Sequence, residues 1–197
     1  MTEKRREKLL SVLARRRPDL TLVLEDIHDP HNVSAVLRSA DAVGIMRVHL
    51  VYTSAQFPRL GKKSSASATK WVGRQRHSSI PECYAALRAE GFRILSTRLG
   101  EKSVSLYDLN LTGRVAFVFG NEHTGVSGEA AELADVNFHI PMSGMIESLN
   151  VSVACAVTLY EAFRQRMVNG ARRLSSEEKK ELEELGKKWL SPPARRK

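Results

Sequence analysis

The sequence predicts an α/β domain with a mostly parallel sheet and helices on both faces. Short apolar runs alternate with stretches of 3.6-residue periodicity, the pattern of a parallel sheet covered on both sides. The 197 residues, of which 42% are hydrophobic, suit one such domain with short additions. We therefore expect an α/β domain over 20–166, with basic helical extensions at 1–19 and 167–197.

The amino-terminal half alternates between helix and strand. Its periodicity predicts a basic helix over 2–16 and an apolar strand over 20–24. An amphipathic helix over 33–40, with Asn32 at its N-cap, and a second strand over 48–51 follow. Residues 53–79 are rich in Ser, Lys and Ala. They predict a long loop with a short helix, and a loop of this length is often functional.

The carboxy-terminal half continues the alternation. It predicts a helix over 82–90 and strands over 92–97 and 115–119. A helix over 127–134, a strand over 138–142 and a long helix over 148–166 follow. Ser175 opens a final helix, and Glu178 three residues later completes the pattern of a capping box.

The positive charge is concentrated at the two ends. The net charge is +9, of which residues 1–17 contribute +5 and residues 164–197 contribute +6, while the part between them carries −2. Solvated helix faces are one explanation, and binding of a polyanion is the other. If RNA is that polyanion, the expected phosphate contacts are Arg15, Arg16, Arg17, Arg164, Arg166, Arg172 and Arg173.

Several classes of site are excluded or disfavoured. No G-x-G-x-x-G turn, P-loop or G-x-S-x-G elbow is present. The six histidines and two cysteines lack the spacing of a metal site, so no metal is expected. No apolar run approaches the ~20 residues that cross a bilayer, and the charged amino terminus does not predict a signal peptide. We expect a cytoplasmic protein without a membrane partner.

Three polar segments, each placed after a strand, remain as candidates for the site. They cover 31–38, 119–125 and 140–150. The second contains two glycines, which permit tight turns, and the third combines a glycine-containing loop with the start of a helix. Each segment alone is also explained by helix capping or packing.

Together and in this order, the segments resemble the three signature motifs of the SpoU branch of the SPOUT methyltransferases. Asn32 to Arg38 is similar to the first motif, Phe119 to Gly125 to the second, and Ile140-Pro-Met with Ser148-Leu-Asn-Val-Ser to the third. The runs 14–21 and 29–32 further resemble the TrmH group, whose members methylate transfer RNA at guanosine-18. The resemblance covers about four fifths of the chain.

The resemblance implies a fold, a reaction and partners. The fold would contain a deep trefoil knot in its carboxy-terminal part. The enzyme would be a homodimer in which both subunits contribute to each site, with S-adenosylmethionine as the methyl donor and transfer RNA as the substrate. Other SpoU enzymes, which act on ribosomal RNA or on the wobble ribose, remain an alternative. A non-catalytic RNA-binding protein of the same fold is a second one.

The resemblance also assigns residues. The donor would contact Thr97, Gly120, Ile140 and Leu149, with Met142 and Gly144 in the loop that walls its pocket. The catalytic and structural polar set would be Asn32, Arg38, Glu122, Ser148 and Asn150, and His31 would contact RNA. Arg38 would act as general base or, as a permanent cation, would bind a phosphate and stabilise negative charge on oxygen. Glu147 stands where close relatives often have Gln, and the carboxy-terminal extension diverges.

Overall fold

A parallel seven-stranded sheet forms the centre of the molecule. The computed structural model describes residues 1–54, 56–59, 68–100, 102–169 and 173–191. The strands within these ranges are β1 Leu20–Glu25, β2 Arg47–Val51, β3 Gly73–His77, β4 Arg93–Thr97, β5 Val104–Ser105, β6 Val115–Phe119 and β7 Val136–His139. Their order in the sheet is β3-β2-β1-β6-β4-β7-β5, and every neighbouring pair is parallel. The predicted α/β class is confirmed.

Helices cover both faces of this sheet. They are α1 Glu3–Leu13, α2 Pro30–Ala42, α3 Ala68–Trp71, α4 Ile80–Ala89, α5 Gly128–Leu133, α6 Val151–Val168 and α7 Ser176–Leu190. Successive side chains of a strand point to opposite faces. Accordingly, Leu22 and Leu24 join the core under α2 and α6, whereas Val23 joins the core under α4 and α5. Within the described ranges, no helix is long and apolar enough to cross a membrane.

Two local predictions need correction. The N-cap of α2 is Asp29, whose side chain accepts a hydrogen bond from the backbone nitrogen of His31, and Pro30 occupies the first turn. Asn32 therefore lies inside the first turn, where its side chain is free for another role. The segment 53–79 contains the predicted short helix α3, but it also contains the edge strand β3, which the sequence did not predict.

The two terminal helices pack together at the amino edge of the sheet, where the strands begin. Arg47 at the start of β2 pairs with Glu181 of α7 at 3.4 Å, and Trp71 and Trp189 meet edge to face with centroids 5.2 Å apart. The predicted capping box of Ser175 and Glu178 is present at the start of α7. The buried Glu178 also pairs with Arg114 just before β6, at 2.5 Å. These contacts fix α7 to the domain, and α1 packs against α7.

Candidate active site

A cavity of about 530 Å³ opens at the carboxyl edge of the sheet, where parallel sheets bind ligands. It lies beyond the ends of β4, β6 and β7 and is closed by the start of α6. Five of the six residues predicted for the donor line it: Thr97, Gly120, Ile140, Met142 and Leu149. The sixth, Gly144, is exposed and is not among the lining residues.

The cavity has apolar walls and a polar rim. Leu149, Val151 and Ala154 are partly exposed and contribute apolar side chains to the walls, and Glu122 and Asn150 contribute polar groups. Such a combination suits a ligand with a flat apolar part and a few polar groups. The hydroxyl of Thr97 donates to the carbonyl oxygen of Val118 at 2.9 Å, so its methyl group is the part left to contact a ligand.

Gly120 lets the second predicted segment fold back tightly after β6. A Cβ atom at this position would lie 2.2 Å from the carbonyl carbon and oxygen of Gly125. The turn is closed by Asn121, whose side-chain oxygen accepts from the backbone nitrogens of His123 and Thr124 and whose carbonyl accepts from Gly125. Because backbone atoms occupy the space of any side chain, Gly120 is required by close packing.

The three predicted segments meet in one chain of hydrogen bonds. Asn32 donates from Nδ2 to Oε1 of Glu122 at 2.9 Å, and Asn150 donates from Nδ2 to Oδ1 of Asn32 at 3.1 Å. Asn150 is also the N-cap of α6, because its Oδ1 accepts from the backbone nitrogen of Ser152. We call Asn32, Glu122 and Asn150 the polar triad.

The negative charge of Glu122 is held by surrounding donors. Its carboxylate also accepts from the backbone nitrogens of His28 and Asp29, at 3.2 and 3.3 Å. Burial alone would raise the pKa of Glu122, but the bonds from Asn32 and the backbone outweigh it and lower the pKa below its ordinary value. Glu122 is therefore a permanent acceptor at neutral pH and is unsuited to removing a proton.

A strained residue positions the backbone donors of Glu122. Asp26, just after β1, has a φ of 47°, which non-glycine residues seldom adopt. Its carboxylate accepts from Thr53 and Ser54, and Asn121 donates from Nδ2 to its carbonyl oxygen at 3.0 Å. The loops after β1, β2 and β6 are thus tied together next to the polar triad.

Arg38, Ser148 and His31 do not join the polar triad within one chain. Arg38 follows Asn32 by six residues of helix, which separates them by about 9 Å along the axis and roughly 120° around it. The Arg38 side chain is exposed and makes no hydrogen bond or ion pair with the part of the chain that the structure describes. Ser148 is exposed on the cavity rim, and His31 is exposed at the start of α2.

Two of the predicted phosphate contacts are buried and the prediction is wrong for them. Arg16 pairs with Asp41 at 2.6 Å and donates to the carbonyl of Ile45, and only 4% of it is exposed. Arg166 is 3% exposed and donates to the carbonyl of Gly113 at 2.8 Å. Both guanidinium groups are bound within the fold, where a phosphate cannot reach them.

The other predicted contacts differ in their surroundings. Arg15 and Arg173 are exposed and Arg17 is half-buried. Arg164 is exposed and pairs with Glu161 at 2.8 Å. Arg172 lies outside the described residues.

A buried group that sequence spacing did not indicate lies between β2, β3 and α4. His49, His77 and Cys83 place one potential ligand atom each within 4.8 Å of one another, a set that could hold a metal. Nδ1 of His49 and Nε2 of His77 are hydrogen-bonded at 2.9 Å, and burial lowers the pKa of His49 to about 3. Burial also raises the pKa of Cys83 to about 12. His49 and Cys83 are therefore neutral and the two histidines are hydrogen-bonded to each other, while the expected absence of a metal stays a prediction.

A parallel α/β domain with a polar-rimmed apolar cavity beyond its strand ends is the arrangement of a ligand-binding α/β enzyme. A model of the SpoU rRNA Methylase family matches residues 19–160, and the chain belongs to that family. The tRNA (guanosine(18)-2'-O)-methyltransferase of Thermus thermophilus is 45% identical over 169 residues, 86% of this chain and 87% of that protein. The 23S rRNA (guanosine-2'-O-)-methyltransferase RlmB of Vibrio cholerae is 39% identical over 159 residues, 80% of this chain and 64% of that protein.

Two crystal structures extend the comparison to three dimensions. The TrmH/SpoU tRNA modifying enzyme of Aquifex aeolicus has a TM-score of 0.84 at 34% identity, with 96% of this chain and 98% of that chain covered. The SpoU methyltransferase AviRb of Streptomyces viridochromogenes, in complex with the cofactor AdoMet, has a TM-score of 0.69 at 27% identity, with 77% and 59% covered.

Proposed function

We propose that this protein transfers a methyl group from S-adenosylmethionine to the ribose 2'-oxygen of guanosine-18 in transfer RNA. The observation that carries the proposal is the polar triad, in which Asn32 of the first motif is hydrogen-bonded to Glu122 of the second and Asn150 of the third beside a cavity. The relatives that act on guanosine-18 support the choice of substrate, because they match this chain over most of both lengths.

The cavity fits the methyl donor by its chemistry. Its apolar walls suit an adenine ring, and its rim offers the polar groups that a ribose and an amino acid need. The AdoMet complex of AviRb supports this assignment. We assign donor binding to Thr97, Gly120, Ile140, Met142 and Leu149, with Gly144 in the loop that follows.

The residues of this chain position the acceptor and stabilise charge. The donor supplies an electrophilic sulfonium methyl for in-line transfer to the ribose oxygen, and alignment of such reactants contributes several kcal/mol. Glu122 holds Asn32, and Asn32 holds Asn150 at the start of α6, so the rim is preorganised. Arg38 contributes a guanidinium cation whose donors form a planar fork. It holds the adjacent phosphate and stabilises the developing oxyanion, while the hydroxyl proton passes to solvent.

We propose that the active form is a homodimer and that Arg38 acts in the cavity of the partner subunit. Val153, Tyr160 and Met167 are exposed at seven-residue intervals along α6, which is an apolar stripe without cover in this chain. Met145 and Ile146, beside the cavity, are exposed as well. A symmetric pairing over α6 would cover the stripe and could bring Arg38, on the neighbouring α2, to the other site.

Two further features of the proposal come from the family resemblance. We propose a deep trefoil knot in the carboxy-terminal part, which is consistent with the way segments 119–125 and 140–150 line one cavity. We also propose that the protein acts in the cytoplasm and that it binds transfer RNA through Arg15, Arg17, Arg172 and Arg173 of the extensions and Arg164 near the end of α6, with His31 at the site. The buried Arg16 and Arg166 are excluded from this set.

The rival substrate is ribosomal RNA, on which the 39% identical RlmB acts. The guanosine-18 enzyme of Thermus thermophilus is 45% identical to this chain against 39% for RlmB, which favours transfer RNA. A non-catalytic RNA-binding protein is disfavoured by the intact triad. Calorimetry with S-adenosylmethionine separates the classes, because a protein that only binds RNA would release no heat of donor binding.

The deciding experiment is methylation of purified transfer RNA with labelled donor, followed by mapping of the modified nucleoside. We expect label at guanosine-18 and none in a matched transcript with 2'-deoxyguanosine at that position. Arg38→Ala should abolish turnover while leaving donor affinity nearly unchanged. Labelling of a different nucleotide, or equal labelling of the deoxy transcript, would refute the assigned target.

A further inference from the structure

The segment that leads from β2 into β3 has an unusual charge composition. From 42 to 81 the sequence contains no Asp or Glu but seven Lys or Arg residues. The net charge of −2 over the central part of the chain does not reveal this basic segment, because the acidic residues of the central part lie outside 42–81. Two of the seven, Arg74 and Arg76, lie on β3 at the edge of the sheet, and both are exposed.

Both arginines face the same side of the sheet. Arg74 pairs with Val48 and Arg76 with Leu50, and those β2 residues point into the core under α2. Residues two apart on a strand are separated by about 6.6 Å. This is close to the spacing of successive phosphates along a nucleic-acid strand, so the two guanidinium groups could contact neighbouring phosphates.

An aromatic side chain holds one of the arginines in place. The guanidinium carbon of Arg76 lies 5.6 Å from the centre of the Phe57 ring, within the range of a cation–π contact. Phe57 in turn packs edge to face against Tyr52, with ring centres 5.3 Å apart. We call Phe57, Arg74 and Arg76 the basic shelf.

The basic shelf is connected to the polar triad. The hydroxyl of Tyr52 donates to the carbonyl of Ile27 at 2.9 Å, and the backbone nitrogen of the next residue, His28, donates to Glu122. The pKa of Tyr52 is raised by burial first and then by the charges of Asp26 and Glu122, whereas the charge of Arg76 lowers it. Tyr52 thus contacts Phe57 of the shelf through its ring and the loop after β1, which holds Glu122, through its hydroxyl.

We propose that the basic shelf binds the RNA strand next to the methylated ribose, with Arg76 and Arg74 on consecutive phosphates and Phe57 positioning Arg76. This inference rests on the proposed function and adds a contact surface to it. A surface with two arginines, an aromatic ring and no carboxylate within 42–81 suits a polyanion with a regular charge spacing. RNA is the polyanion that the adjoining site requires.

The basic shelf is an RNA-binding surface next to the active site and is separate from the terminal extensions. The terminal helices pack at the amino edge of the sheet, whereas the cavity opens at the carboxyl edge. Within one chain, the extensions and the site are therefore separated by at least a strand length of about 17 Å. The shelf lies next to the loops at the carboxyl edge, where the RNA must enter.

The test measures transfer RNA affinity as a function of salt for the full chain and its variants. Arg76→Ala should weaken binding about fivefold and lower the slope of log affinity against log salt by about one. Arg76→Lys keeps the charge but loses the planar contact with Phe57, so it should retain the slope and lose part of the affinity. Phe57→Leu should likewise retain the slope and lose part of the affinity, because it removes the ring that contacts Arg76. Arg93→Ala, an exposed arginine at the amino end of β4, is the matched control and should keep the wild-type slope.

Methyl transfer is measured in parallel to separate the two proposals. If the wild type methylates guanosine-18 and Arg76→Ala has unchanged affinity and slope, the shelf proposal is overturned and the function stands. If the wild type binds transfer RNA without methylating it, and Arg76→Ala lowers the slope, the function fails and the shelf stands. Absence of any binding to transfer RNA would overturn both. Thermal unfolding of each variant against Arg93→Ala excludes loss of fold as the cause.

Discussion

Asn32 donates a hydrogen bond of 2.9 Å from Nδ2 to Oε1 of Glu122, across 90 residues of sequence. A carboxylate can only accept, so the amide nitrogen of Asn32 must face it and the oxygen must face Asn150. Asn150 then presents its own nitrogen to Asn32 and its oxygen to Ser152. The direction of every bond in the triad is set by the charge of Glu122.

The first prediction tests this directional chain. Asn32→Asp places a second carboxylate against Glu122, which removes a donor and adds repulsion. We expect the free energy of unfolding to fall by about 2 kcal/mol, measured by urea denaturation. Donor affinity, measured by calorimetry, should fall as well, because repulsion from Glu122 displaces the side chain at position 32, whose oxygen accepts from Asn150.

The double variant Asn32→Asp with Glu122→Gln serves as the control for that prediction. The Gln amide can donate to the new carboxylate, which restores one bond in the reverse direction. We expect a favourable coupling of about 1 kcal/mol relative to the sum of the single variants. Strictly additive losses would contradict a direct contact between the two positions.

The second prediction concerns how the free energy of unfolding depends on pH. The pKa of Glu122 in the folded protein lies below its ordinary value of 4.5, so its ionised form stabilises the fold. This contribution is complete above pH 4.5 and is lost as the pH falls through the folded-state pKa. The difference in unfolding free energy between the wild type and Glu122→Gln should therefore be largest near neutral pH and shrink below pH 4.5. A difference that grows on acidification would mean that Glu122 is protonated in the native state.

The third prediction concerns the loop after β6. Gly120→Ala forces a methyl group against the backbone of Gly125, so the 120–125 turn must move and donor binding should be lost. Gly128→Ala is the matched control, because nothing lies within 4 Å of its Cβ position. Calorimetry should find unchanged donor affinity for Gly128→Ala and none for Gly120→Ala. Retained binding by Gly120→Ala would show that this turn is not a fixed wall of the cavity.

The sequence predicted the framework and most of the cavity because both depend on local patterns. β6 was predicted at its observed bounds, since its residues Val115 to Phe119 are all apolar and buried. β3 was missed because none of its residues, Gly73 to His77, is apolar, and an edge strand needs few apolar residues. Asn32 was taken for a cap because Asn is common there, and its contact with Glu122 is non-local.

The sequence also could not predict which charged residues are buried. Arg15, Arg16 and Arg17 are consecutive and identical in type, so composition could not separate them. Their environments differ because the turn between α1 and β1 directs Arg16 inward, towards Asp41 of α2 and over the ring of Trp189. Such a difference depends on the path of the backbone, which no count of charges contains.

The last prediction compares Arg16→Ala with Arg15→Ala. Arg16→Ala leaves Asp41 and the carbonyl of Ile45 without their donor, and should lower the free energy of unfolding by about 3 kcal/mol. Arg15 is exposed and donates to Ser11 within its own helix turn, so Arg15→Ala should change stability by about 0.5 kcal/mol or less. The effects on transfer RNA should be reversed. Arg15→Ala should lower the salt slope of binding by about one, whereas folded Arg16→Ala protein should keep the wild-type slope. A lowered slope for Arg16→Ala at a temperature where it is fully folded would show that this guanidinium reaches a phosphate after all.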